Sequence, residues 1–128
     1  MAFSQIPNPL PPEGFALPID EIRGSFLTLG FLPGSSHNSL SPRLLLLPAG
    51  IEIKVMSASY YEYTALSRID YRPEGFLRQE RVALYFDRAS GASYDFIPSS
   101  GAIRRAFLQF CLQRGFMLSP QARAAAQS

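Results

Sequence analysis

The chain has one cysteine, one histidine, one lysine and no tryptophan in 128 residues. With Cys111 alone, no internal disulfide can form. One thiol and one imidazole, His37, cannot assemble the ligand sets of typical zinc or transition-metal sites. No stretch approaches the ~18 consecutive apolar residues that cross a bilayer. The first residues lack the basic segment and apolar run of a secretory signal. These shortages together give the expectation of a soluble, cytoplasmic protein that holds no metal and no cofactor.

Catalytic patterns are equally scarce. His37 lies among Ser35, Ser36, Ser39 and Ser41, and no GxSxG elbow occurs, so a Ser–His–acid set has only a loop imidazole to draw on. The phosphate loop GxxxxGK[ST] is absent. Glu52 and Glu62 could meet across strands, but nothing in their context marks either as buried. The expectation is a protein that is not an enzyme.

Charge is low. Twelve basic and ten acidic residues give a net +2, too little to indicate nucleic acid. Eleven of the basic residues are Arg, with Lys54 the exception. The distribution is uneven: Glu13, Asp20 and Glu21 stand in residues 1–22 without a basic partner, and Arg104, Arg105, Arg114 and Arg123 stand in residues 96–128 without an acid. An acidic head and a basic end can attract each other, within one chain or between two. Six tyrosines and ten phenylalanines raise the question of base stacking. Tyr61, Tyr63 and Tyr71, however, share a period-two face with Ala65 and Ile69, which reads as core, so nucleic acid is not the expected partner.

Hydrophobic residues form 47% of the chain and charged residues 17%, the balance of one globular domain of this length. Residues 7–18 carry five prolines and are read, within residues 1–21, as an acidic arm anchored by Phe15 and Leu17. Residues 22–118 form the domain. Residues 119–128 are expected to be a flexible Ala-rich, basic tail.

Within the domain, strands are expected over 22–32, 44–47, 51–57 and 60–71, with 33–42 a loop on composition. A hairpin is expected from Arg78–Asp87 and Ala92–Ile97 around the Asp87–Gly91 turn. A single helix, Ser100–Arg114, follows. The fold class is α+β: an antiparallel curled sheet or small barrel of about five to seven strands with one C-terminal helix packed on it.

Two features of that helix point towards contact with something else. Ser99, Ser100 and Gly101 open it, and Arg104 and Arg105 stand in its first turns, where their charge opposes the helix dipole. Free N–H groups beside two guanidinium groups suit an anion or a carboxylate, a small-ligand site of weak definition. On the wheel, Ile103, Ala106, Phe107, Phe110 and Cys111 fill one apolar stripe, and Leu108 and Leu112 form a second beside it. One sheet covers one stripe. The second needs a further cover: the chain's own arm through Phe15 and Leu17, another protein, or a second copy. The expected function is therefore a non-enzymatic interaction or assembly module, a ligand- or anion-binding domain being the alternative.

Overall fold

The computed structural model describes residues 6–28, 32–86 and 92–128. Its strands are β1 (Phe15–Ala16), β2 (Ile19–Thr28), β3 (Leu32–Asn38), β4 (Arg43–Leu46), β5 (Gly50–Lys54), β6 (Ala58–Glu62), β7 (Leu66–Arg72), β8 (Arg81–Phe86) and β9 (Ser93–Pro98). Helices α1 (Gly101–Gln113) and α2 (Pro120–Ala125) follow. The strands form two antiparallel sheets, ordered β1-β4-β5-β6 and β3-β2-β9-β8-β7. The class is α+β with one main helix, as expected, but the strands do not close into a barrel and do not form one curled sheet.

The reason lies in the segment read as a continuous strand from Tyr60 to Tyr71. A single 3-10 turn at Tyr63–Ala65 interrupts it, so β6 pairs with β5 in the first sheet while β7 pairs with β8 in the second. Tyr63 holds this corner. Its amide donates to Ala49 O at 3.1 Å and its hydroxyl to Leu47 O at 2.6 Å. The interruption also shifts the periodicity: Leu66 and Ile69 are both buried, three residues apart, across an irregularity in the β7–β8 register.

Elsewhere alternation sets the faces. Ile51, Ile53 and Val55 of β5 and its flank are buried while Glu52 and Lys54 are half-exposed. Gly50, opening β5, lies so close to β6 that a Cβ would sit 2.4 Å from Tyr61 O, so a glycine is needed there. The β8–β9 pairing, with Val82 opposite Phe96, matches the expected hairpin; its Asp87–Gly91 turn lies outside the described residues.

Residues expected to be a loop, 33–42, instead supply most of β3, which pairs with β2 from Ile22↔Asn38 to Thr28↔Leu32. β3 is an edge strand, which is where Pro33 can be accepted, because an edge leaves donors that the ladder does not need. The expected frayed tail is also corrected. Ser119 caps α2 by accepting from Ala122 N at 3.1 Å, Pro120 starts it, and Ala122, Ala125 and Ala126 are buried.

One buried cluster unites both sheets, α1, α2 and the arm. Ile6, Leu10 and Leu17 of the arm belong to it together with Phe96, Phe107, Leu108 and Ala122. Phe96 and Phe107 meet edge to face at 5.3 Å, which places α1 on β9.

Candidate functional site

The start of α1 is bonded to the chain's own groups. Ser99 donates its hydroxyl to Asp20 Oδ1 at 2.9 Å and its amide to Pro18 O at 3.2 Å. Ser100 is the N-cap and accepts from Ile103 N at 3.2 Å. Gly101 is the first helical residue. Arg104 lies beside Gly101 and reaches the end of α2. Its Nη1 donates to Ala125 O at 2.9 Å, to Ser128 Oγ at 2.8 Å and to Ser128 O at 3.2 Å. Its Nε lies 3.2 Å from Glu80 Oε1, close enough for charge attraction but poorly aligned for a hydrogen bond. Arg105 Nε donates to Ser128 O at 3.2 Å. The guanidinium groups expected to receive an anion thus fasten α2 and the residues after it. Glu80 is the carboxylate that offsets Arg104 beside the helix dipole. Tyr71 donates to the same Glu80 oxygen at 2.7 Å; burial, then this bond, push its hydroxyl pKa up to about 12.

Of the acidic residues near the start of the chain, Asp20 accepts from Ser99 and Glu21 pairs with a mid-chain arginine. Glu21 and Asp95 both take Arg81, and Asp95 also takes Arg23 Nε at 3.2 Å.

The expected interface residues are mostly inside the molecule. Leu108 is 0% exposed and Leu17 is buried; Leu112 and Phe15 are half-buried against the core. The second stripe does have a cover, and the chain supplies it, with α2 packed on α1 and the arm in the same cluster. Leu108 and Leu17 are therefore not available to a partner in this fold. Cys111 is fully buried on the same helix, and desolvation pushes its thiol pKa well above the usual value, which removes it as a nucleophile.

Apolar surface is instead presented at Gly75–Arg78, between β7 and β8. Gly75 N donates to Arg78 O and Arg78 N to Gly75 O, both at 3.1 Å, closing a two-residue turn. Phe76 and Leu77 at its tip are 94% and 90% exposed. Leu77 has φ +64°, at the turn position where glycine or asparagine is usual. A side chain in that region costs about 1–2 kcal/mol. The turn therefore holds two large apolar groups in water in a strained backbone.

The sequence Pro-Glu-Gly-Phe occurs twice, at 12–15 and 73–76. In the first, Gly14 has φ +92° and lies against Leu45 and Leu47, Phe15 pairs with Leu46 of β4, and Leu17 is buried. In the second, the equivalent Phe76 meets water. In sequence, Pro73–Gly75 breaks the strand pattern that ends at Tyr71. The available signal was a Phe-Leu pair directly after turn-forming residues, with no alternation to bury it.

No family model, curated protein or solved structure matches the chain.

Proposed function

We propose that this protein is a non-enzymatic interaction module that assembles with another protein, and that Phe76 and Leu77 are its principal anchor. The reading differs from the one based on Leu108 and Leu17, since those side chains are used internally. The observation that carries it is the closed Gly75–Arg78 turn, with both tip side chains at least 90% exposed. Isolated exposed apolar residues are ordinary, whereas an adjacent pair on a strained turn has a cost in the free chain that contact would offset.

Burying Phe76 and Leu77 would contribute roughly 3–6 kcal/mol. Association costs about 4–15 kcal/mol. The tip alone is thus an anchor within a larger contact, and the partner touches further surface.

The test compares the wild type with the double variant Phe76→Ser, Leu77→Ser, immobilised and exposed to native extract. The variant should fold with an unchanged circular dichroism spectrum, because neither side chain packs in the core. It should lose the protein that the wild type retains. Retention of the same proteins by both would overturn the reading.

A further inference from the structure

A second surface, built from other elements, has its own recognition chemistry. Residues 38–41 and 54–56 line a groove of about 430 Å³ that opens to solvent. Its frame is the Asn38 side chain. Nδ2 donates to Val55 O at 2.8 Å and to Ser41 O at 3.2 Å, while Oδ1 accepts from Ser41 N at 2.9 Å and Leu40 N at 3.1 Å. An amide has two donors and two acceptor positions, and all four are used. The turn after β3 is therefore clamped to the end of β5 before anything binds.

That clamp holds Leu40 98% exposed, beside Met56 at 78%, with buried Val55 in the same lining. A flexible thioether next to a branched aliphatic residue accommodates apolar side chains of varied shape. Among the described residues, Lys54 is the only charged one in the lining, and no carboxylate pairs with it. Arg43 stands opposite Lys54 in the β4–β5 ladder and is itself paired with Glu52 at 3.6 Å. The local balance of these three groups is one excess positive charge, with Lys54 the unpaired member.

We infer that this groove docks an extended, acidic segment of a partner protein, one that places an apolar side chain between Leu40 and Met56 and a neighbouring carboxylate on Lys54. Openness selects a segment of a larger body over a small molecule, because small ligands bind where most of their surface is enclosed. One ammonium group without a basic stripe selects a carboxylate over a nucleic-acid backbone. The surface is independent of the Gly75–Arg78 turn, and each can fail without the other.

The experiment titrates the labelled full chain with three capped pentapeptides, followed by backbone amide resonances. The probes are Glu-Leu-Glu-Leu-Glu, its Lys-for-Glu version and its Ser-for-Leu version. The first should move the resonances of residues 38–41 and 54–56, with binding weakened by added salt. The other two should not move them. Lys54→Gln should weaken binding about fivefold, the size of one part-exposed ion pair. Leu40→Ser with Met56→Ser should abolish it, and neither variant removes a core contact. Equal binding of the Lys version, shifts confined to other residues, or no shifts at millimolar peptide would overturn the inference. Shifts of the same residues on concentrating the protein alone would overturn it too, by naming a second copy as the occupant.

Discussion

Ser119 donates its hydroxyl to Asp70 Oδ1 at 2.6 Å and, from the same oxygen, accepts the amide of Ala122. One side chain thus caps α2 and ties it to β7. The pairing continues in the backbone, where Ile69 N meets Met117 O and Ser119 N meets Ile69 O, both at 2.9 Å. The Ser119 bond is the main cause that holds the Asp70 carboxyl below its usual range; the Tyr71 amide, Arg68 and Arg72 add to it, and partial burial opposes them.

A carboxyl with a lowered folded-state pKa stabilises the fold above its unfolded pKa, and the contribution is lost as pH falls through the folded value. Thermal melts of the wild type should therefore fall more steeply below about pH 4 than those of Asp70→Asn, which has no charge to titrate. Ser119→Ala should cost about 0.5–2 kcal/mol at neutral pH through the lost cap alone. Melts of wild type and Asp70→Asn that run parallel from pH 6 down to pH 2 would remove the Asp70 latch.

Leu108→Ala should destabilise the chain by about 2–5 kcal/mol in urea unfolding, because a fully buried leucine leaves a cavity. Leu112→Ala should cost less, since that side chain is only half-buried. If Leu108 instead served a partner and lay wet in the free chain, its truncation would change stability by no more than about 0.5 kcal/mol.

The helix was legible because its signals are local. Ser100 caps it, Gly115 follows its end with φ +79°, and the 3.6-residue spacing of Ile103, Phe107 and Phe110 predicts the buried face. Its second stripe was legible as a need, but not what meets that need. Ala122, Ala125 and Ala126 carry too little apolar weight to announce a docked helix, and what holds α2 includes Arg104 and Gln109 bonds to its far end. The same locality explains the misread loop. Gly34, Ser35 and Ser36 have poor strand propensity, yet each pairs with a residue of β2. The two-sheet division depends on the turn at Tyr63–Ala65, which no glycine or proline marks. At the candidate anion site, the residue types admitted an anion or a carboxylate; Glu80, distant in sequence and 3.2 Å from Arg104 Nε, could be found only in the fold.

Three tyrosines should titrate late. Burial raises Tyr63 and Tyr71 to about 12 and Tyr94 further still; the bond to Glu80 adds to the shift at Tyr71 and the 2.6 Å Tyr61 contact to that at Tyr94. These groups stabilise the fold below their unfolded pKa near 10, and the contribution is lost as pH rises through the folded values. Absorbance at the tyrosinate band should show incomplete ionisation at pH 11, completed only as the chain unfolds. Full ionisation by pH 11 with the fold intact would contradict the burial of these hydroxyl groups.

Leu77→Gly should separate stability from recognition. Glycine removes about 1–2 kcal/mol of left-handed backbone strain. It returns about 0.4–1 kcal/mol through the greater freedom of the unfolded chain. The variant should therefore be as stable as the wild type or up to about 1.6 kcal/mol more so in urea, while losing half of the apolar tip. Leu77→Ala keeps the strain and should leave stability within about 0.5 kcal/mol of wild type. Both should weaken retention of the partner that Phe76 and Leu77 anchor. A Leu77→Gly protein destabilised by 2 kcal/mol or more would mean that the side chain packs against the domain, and the turn would then be a structural element with no surface to offer.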